Sequence, residues 1–239
     1  MFVLKSSANA STHLGREIRR QRQTNAGSHR AAFSSRWPKE AQFLLMIAAI
    51  PAWNSQGVLP PVDPNDPVSR KRSPYVVSLL EVMRRFSTSP ERITILEGLL
   101  RYRAALHAAG LQDGFQWLDG SFLENKEARL GVAPGDIDVV TFFTLPSNTT
   151  EPEVVRRAFS LFDPGRHEDN KRLFHVDAYF QPLYVPSDRL VIGSNYWYGM
   201  WSHQRDTFLW KGFLQVPLSS LEDAAASTLL ATLAGGATP

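Results

Sequence analysis

Two aspartates one residue apart, Asp136 and Asp138, stand at the start of an apolar run that continues to Phe143. Side chains of a β-strand alternate between its two faces, so both carboxylates would point to the same side. Mg²⁺ prefers one or two carboxylates together with phosphate oxygens. This spacing therefore predicts a site for a divalent cation and a phosphorylated ligand.

A third aspartate, Asp177, lies within the apolar run Leu173–Phe180. Alternation in this run predicts a strand with His175, Asp177 and Tyr179 on one face. A lone charge in an apolar strand is usually paired or metal-bound, because burying it alone is costly. If this strand neighbours the first, three carboxylates suit a two-metal site, with ions roughly 3.5–4 Å apart. His175 then either supports that site or is a hydrogen-bonded core residue.

Gly120 and Ser121 follow a short predicted strand over residues 115–118. Glycine lets the backbone approach a phosphate closely, because it has no Cβ atom. A helix over residues 121–129 would direct its first N–H groups at the same anion, and the Ser121 hydroxyl would add a donor. These residues predict a phosphate-binding turn, and the preceding Asp119 is interpreted as a turn residue.

A glycine-serine pair after a strand, an Asp-x-Asp strand and a lone aspartate on a later strand resemble the DNA polymerase beta-like nucleotidyltransferase superfamily. The resemblance is greatest to small bacterial nucleotidyltransferase-like proteins, which include antitoxins and phage-defence proteins. The specific match covers residues 115–180. It implies that Asp136, Asp138 and Asp177 are catalytic and bind Mg²⁺ or Mn²⁺. It also implies that Gly120 and Ser121 hold the phosphates of a nucleotide.

The resemblance further implies transfer of a nucleotidyl group from a nucleoside triphosphate to a hydroxyl acceptor, with pyrophosphate leaving. The acceptor is a protein, an RNA or a small molecule, and Asp177 would accept the proton of its hydroxyl. The alternative is a non-catalytic protein of the same fold, acting as the antitoxin of a toxin partner or as an assembly partner. Fourteen residues separate Ser121 from Asp136, slightly more than this superfamily usually has, so a longer helix or loop is expected there.

A rival motif also fits the first pair of aspartates. Asp136 to Thr141 resembles the nucleophile loop of haloacid dehalogenase-like phosphatases. That chemistry needs the aspartates at the carboxyl end of a buried parallel strand, whereas here the apolar run follows them. The nucleotidyltransferase interpretation is therefore preferred. Asp136 alone also has the simpler interpretation of a turn residue that precedes a strand.

The segment from Tyr196 to Phe213 is rich in aromatic residues and contains Arg205 and Lys211. One interpretation is a nucleotide pocket, in which a ring stacks on the base and both cations bind phosphates. The other is a core element whose basic side chains extend to solvent. Arg205 and Lys211 are the candidate phosphate ligands under the first interpretation.

The elements that must position these residues follow from caps and periodicity. Helices are predicted after Ser73-Pro74, from Ser89-Pro90 to Gly110, over residues 152–162 and over residues 221–233. Strands are predicted over residues 115–118, 137–143 and 173–180. The sum is an α/β (α+β) fold, with a small mixed sheet of nucleotidyltransferase type flanked by helices.

The composition of the chain limits the classes of protein to which it can belong. The chain has 239 residues, 43% of them hydrophobic, and no cysteine, which excludes disulfides and cysteine nucleophiles. Residues 1–45 hold eight Lys or Arg against two Glu, and they are predicted to be a disordered basic tail. Residues 46–239 are predicted to be one nucleotidyltransferase-like domain. No apolar run reaches the ~20 residues of a membrane helix, so a cytoplasmic protein without a membrane partner is expected.

Overall fold

The computed structural model describes residues 49–236. These residues belong to one compact unit, Met46–Pro239. The predicted basic tail over residues 1–45 lies outside the described residues. No helix between residues 49 and 236 is both long and apolar enough to cross a bilayer.

Strands and helices alternate along the described part of the chain. The strands are β1 (Tyr75–Val76), β2 (Gly114–Asp119), β3 (Ile137–Phe143), β4 (Val176–Pro182) and β5 (Leu214–Pro217). The α-helices are α1 (Leu79–Phe86), α2 (Pro90–Ala108), α3 (Lys126–Leu130), α4 (Glu151–Arg157), α5 (Phe159–Phe162), α6 (His167–Phe174), α7 (Ser187–Trp201) and α8 (Asp223–Gly236). Short 3-10 helices span Ser121–Leu123, Pro164–Arg166 and Ser220–Glu222.

The five strands form one mixed sheet in the order β1-β5-β2-β3-β4. β2 runs antiparallel to both β3 and β5, whereas β3 pairs parallel with β4 and β1 pairs parallel with β5. Helices α4 to α6 form the crossover between the parallel strands β3 and β4. The predicted fold class, a mixed sheet flanked by helices, is confirmed.

The alternation along β3 divides the core into two layers. On one face, the hydroxyl of Tyr102 in α2 lies 3.3 Å from that of Thr141. On the other face, Trp117 packs against Phe142 and Phe213, with ring centroids 4.6 and 5.2 Å away, and Trp201 at the end of α7 contacts Phe213. Helix α2 thus contacts one side of the sheet and an aromatic layer that includes the end of α7 lies on the other.

Two of the predicted helices are confirmed. Helix α2 begins at Pro90, where the Ser89 hydroxyl accepts a hydrogen bond from the Arg92 backbone, and it ends at Ala108. The predicted C-terminal helix is also present, with Ser219 capping the 3-10 turn that leads into α8. The capping pattern was sufficient at both places because the side-chain cap and the apolar periodicity agree.

The helix predicted to begin after Ser73-Pro74 begins later. Tyr75 and Val76 pair in parallel with Leu214 and Gln215 instead, forming β1. Ser78 is the actual N-cap of α1 and accepts a hydrogen bond from the Glu81 backbone at 3.1 Å. Long-range strand pairing has overridden a local helix signal.

The strand predicted over residues 173–180 also begins later, at Val176. Leu173 and Phe174 are the last residues of α6, and His175 closes that helix with a left-handed backbone, φ 53°. His175 therefore does not share a strand face with Asp177. The helix predicted over residues 152–162 is likewise interrupted, at Ala158.

Candidate functional site

Three aspartates form a row across three neighbouring strands. Asp119 is the register partner of Asp138 between β2 and β3, and Asp138 is the partner of Asp177 between β3 and β4. Directly opposite residues share a face of the sheet, so the three carboxylates point the same way. The row lies where β2 ends and where β3 and β4 begin. Asp136 lies one residue before β3. Its carboxylate contacts the ammonium of Lys171, which also contacts Asp177.

Asp138 is the least compensated member of this row. Burial, together with the carboxylates of Asp177 and Asp136, raises the pKa of Asp138 to about 6 against the opposing charges of Lys211 and Lys171. Within residues 49–236, Asp138 forms no ion pair. An excess of negative charge at this point favours a bound cation.

Gly120 is required where it stands. Its φ is 85° and its ψ is −171°, a backbone conformation that is essentially confined to glycine. A Cβ atom at this position would lie 2.6 Å from Oδ2 of Asp138. Because Gly120 has no side chain, the carboxylate of Asp138 fits beside the turn. The same lack of a side chain would let a ligand approach the turn.

The conditional helix over residues 121–129 does not form as one element. The chain forms only a 3-10 turn, Ser121–Leu123, closed by bonds from the Leu123 and Glu124 amides to the carbonyls of Gly120 and Ser121. Glu124 is then extended, and α3 begins afterwards with only five residues. An anion at this turn would contact the backbone of Gly120 and Ser121. It would not gain the electrostatic stabilisation that the N-terminus of a long helix provides.

A buried arginine, Arg92, holds the turn Ser121–Leu123 in place. The guanidinium of Arg92 donates to the carbonyl oxygens of Phe122 and Glu124 at 2.6 and 2.7 Å, and it forms an ion pair with Glu127 at 2.6 Å. Trp53 donates to the Leu123 carbonyl at 2.7 Å. Sequence reasoning missed Arg92, although its spacing in α2 places it on the apolar face of that helix.

Lys211 lies in a buried ion cluster behind the turn. Its Nζ is 3.1 Å from Oδ1 of Asp119, 3.4 Å from Oε1 of Glu124 and 3.4 Å from the Gly120 carbonyl. Burial alone would lower the pKa of Lys211, but Asp119 and Glu124 outweigh it and raise the pKa. The structure thus pairs this candidate phosphate ligand with protein carboxylates.

Asp119 is not a turn residue. It is the last residue of β2 and is 2% exposed. Burial raises its pKa to about 7, with Lys211 opposing the rise and Asp138 adding to it. The other candidate phosphate ligand, Arg205, is exposed in the turn after α7, and it forms no ion pair within residues 49–236.

Helix α6 brings two further side chains to the row. Lys171 Nζ lies 2.7 Å from Oδ2 of Asp136 and 2.9 Å from Oδ2 of Asp177. One turn earlier, His167 Nε2 lies 2.9 Å from Oδ1 of Asp177, although without hydrogen-bond geometry. The histidine beside Asp177 is therefore His167 and not His175. Their four-residue spacing would have placed them on one face had residues 167–174 been predicted as a helix.

The chemistry of the acidic side chains suits a divalent cation, but in the described residues they do not converge on one position for it. Within residues 49–236, no three His, Asp or Glu side chains stand in an arrangement that holds a metal ion. The ammonium of Lys171 lies between Asp136 and Asp177, and it neutralises part of their charge. Oδ1 of Asp177 is buried without a hydrogen bond. Carboxylate oxygens are the ligands that Mg²⁺ prefers, and the lysine ammonium marks a position that favours positive charge.

Aromatic rings adjoin the acidic row. Tyr179 lies two residues after Asp177 on the same strand, and its ring is 4.9 Å from that of Trp197 in α7. Burial raises the pKa of Tyr179 to about 12, and the charge of Asp177 adds to the rise. Trp201 is buried in the core, whereas Tyr196 is exposed. Within the aromatic segment, Trp201 thus belongs to the core, whereas Trp197 lies beside the acidic row.

Comparison with known proteins places the chain in a family. No curated protein and no solved structure matches it. One family model does match, over residues 51–217, a range that includes every side chain of the acidic row and of the turn. The chain belongs to the family of unknown function DUF6932.

Proposed function

We propose that this protein is a metal-dependent nucleotidyltransferase, which transfers a nucleotidyl group from a nucleoside triphosphate to a hydroxyl of an acceptor. The observation that carries the proposal is the meeting of Asp136, Asp138 and Asp177 beside the Gly120-Ser121 turn. The resemblance of these same residues to the DNA polymerase beta-like superfamily supports it. The fold, a mixed sheet flanked by helices, is compatible with that superfamily.

Asp136, Asp138 and Asp177 would hold Mg²⁺ or Mn²⁺, which would supply neutralisation of the charge on the triphosphate. A Cβ atom at Gly120 would meet Asp138, so the turn lies directly beside the row, and the backbone of Gly120 and Ser121 would position the phosphates. Oδ1 of Asp177, which lacks a hydrogen bond, accepts the proton of the attacking hydroxyl. The new bond forms between that hydroxyl oxygen and the α-phosphorus, and pyrophosphate leaves.

The substrate would be a nucleoside triphosphate, and the acceptor would be a protein, an RNA or a small molecule. The rings of Tyr179 and Trp197 beside the row support this substrate class, because a nucleobase can stack on an aromatic side chain. We place the reaction in the cytoplasm, where nucleoside triphosphates are available.

The proposal is tested with labelled nucleotides. The full chain is incubated with each α-labelled nucleoside triphosphate and Mg²⁺ or Mn²⁺, with and without cell extract as a source of acceptor, and pyrophosphate is measured. Asp138→Asn should abolish its release. Asp169→Asn is the matched control, because Asp169 is exposed on α6 and, among the described residues, its ion pair is with Arg172 alone. Equal activity of wild type and Asp138→Asn would contradict the proposal.

One observation favours a second candidate, a non-catalytic binding protein of the same fold that acts as an antitoxin or an assembly partner. Lys171 bridges Asp136 and Asp177, and it satisfies part of the acidic row without any metal. This candidate predicts no pyrophosphate release with any nucleotide. It also predicts a stable complex with a toxin encoded by an adjacent gene, detected by co-purification.

A further inference from the structure

The ammonium of Lys171 bridges two aspartates of the site. Its ammonium lies 2.7 Å from one carboxylate oxygen of Asp136 and 2.9 Å from one of Asp177. These are ordinary distances for a charge-assisted hydrogen bond. Asp136 lies one residue before β3 and Asp177 lies on β4, so one lysine bridges two separate segments of the chain.

We propose that Lys171 is an internal counter-ion that competes with the divalent metal for Asp136 and Asp177. This inference rests on the proposed function, because it assumes that these carboxylates bind a metal. In the metal-free protein the ammonium holds the two side chains together. When a metal binds, the ammonium leaves, since both cations require the same oxygens.

Exposure distinguishes Lys171 from the other lysine of the site. The side chain of Lys171 is 32% exposed, whereas that of Lys211 is 5% exposed. Lys171 can therefore rotate into solvent and regain its hydration, but Lys211 would have to leave the core. Asp138 remains free of ion pairs in the described part of the chain, and so it offers an incoming metal a first ligand before Lys171 departs.

Competition has a consequence for the order of binding. A metal ion alone must displace a resident cation, so it binds weakly. A metal that arrives with a triphosphate brings anionic oxygens that can accept the freed ammonium of Lys171. The site is thus selective for the metal–nucleotide complex over the free metal.

The test measures binding of Mn²⁺ alone to the full chain, by the loss of its free electron paramagnetic resonance signal. Lys171→Gln removes the competing charge and should bind Mn²⁺ at least about tenfold more tightly than wild type. Lys171→Arg keeps the charge and should bind as weakly as wild type. Arg172→Gln is the matched control, because this exposed neighbour on α6 forms its ion pair with Asp169 and with no other residue between 49 and 236, and it should leave the affinity unchanged.

A measurement on wild type alone protects the test against a variant that fails to fold. Amine acetylation, followed by mass spectrometry of the peptide containing Lys171, should be slow in EDTA and several-fold faster when Mn²⁺ and a non-hydrolysable triphosphate are both saturating. An unchanged rate, with ligand binding shown separately by calorimetry, would overturn the proposal.

The outcomes separate this inference from the proposed function. If wild type and Lys171→Gln bind Mn²⁺ with equal affinity, and Asp138→Asn abolishes that binding, the competition is refuted and the metal site stands. If neither protein binds Mn²⁺ with or without a triphosphate, both proposals fail. Tighter binding by Lys171→Gln, absent from Lys171→Arg, supports the competition.

Discussion

Asp138 and Asp177 are register partners on the parallel strands β3 and β4, so their carboxylates stand next to each other on one face of the sheet. The two differ in their surroundings. Asp177 has Lys171 and His167 within 2.9 Å, while Asp138 forms no ion pair within residues 49–236. This asymmetry makes Asp138 the position at which substitution is most informative.

Asp138→Asn should stabilise the metal-free protein at neutral pH by about 1–3 kcal/mol, because it removes a charge that burial and two carboxylates disfavour. The measurement is urea unfolding in EDTA. A structural ion-pair role predicts the reverse, since removing one partner of a buried pair costs roughly 3–5 kcal/mol.

The same variant has a defined pH dependence. The pKa of Asp138 is raised to about 6 in the folded protein, so the folded state binds its proton more tightly than the unfolded state. The free energy of unfolding of wild type therefore falls as pH rises from about 4 to about 6. Asparagine does not titrate, so the advantage of Asp138→Asn should be near zero at pH 4, grow through this window and stay constant above it. An advantage that is independent of pH would refute the electrostatic explanation.

Gly120→Ala should destabilise the protein by about 3 kcal/mol or more, because alanine is strained at φ 85° and its Cβ would meet Asp138. Gly131→Ala is the control. It also has a positive φ, 68°, but an added Cβ meets nothing within 4 Å, and so it should cost only about 1–2 kcal/mol.

A double-mutant cycle isolates the contact between the turn and the row. Combining Gly120→Ala with Asp138→Ala removes the carboxylate that the new Cβ would meet, and part of the lost stability should return. Strictly additive effects would mean that Gly120 is needed for its backbone conformation alone.

Arg92→Met should cost roughly 3–5 kcal/mol, because it leaves Glu127 and the carbonyls of the turn without their buried partner. Hydrogen exchange of the amides over residues 120–124 should accelerate more than exchange in β3. Arg101→Met, an exposed position on the same helix, should change both quantities little. Uniform acceleration over the whole chain would assign Arg92 to global stability alone.

The aspartates that adjoin or lie within strongly β-forming runs were predictable, and the residues whose role depends on long-range pairing were not. Residue alternation identified Asp136 and Asp138, because the run that follows them is strongly β-forming. Asp119 was missed as a site residue, because its burial depends on the pairing of β2 with both β3 and β5. The glycine directly after Asp119 indicated a turn instead.

The contribution of α6 was hidden for a different reason. The residues 173–180 are apolar apart from His175 and Asp177, so the sequence predicts a strand that includes the last turn of α6. Because α6 was not predicted, the sequence did not indicate that Lys171 and His167 lie on the same face of a helix. Arg92 could have been found from its helical spacing with the leucines of α2, but its partners lie about 30 residues away.

The most direct test of the account is a crystal of the full chain grown with Mn²⁺ and a non-hydrolysable nucleoside triphosphate, examined at a wavelength where manganese scatters anomalously. The account predicts an anomalous peak within coordination distance of Asp138 and Asp177, phosphates beside Gly120 and Ser121, and the Lys171 ammonium moved away from Asp136. Nucleotide bound elsewhere on the chain, with Lys171 still bridging Asp136 and Asp177 and no peak at the row, would contradict it.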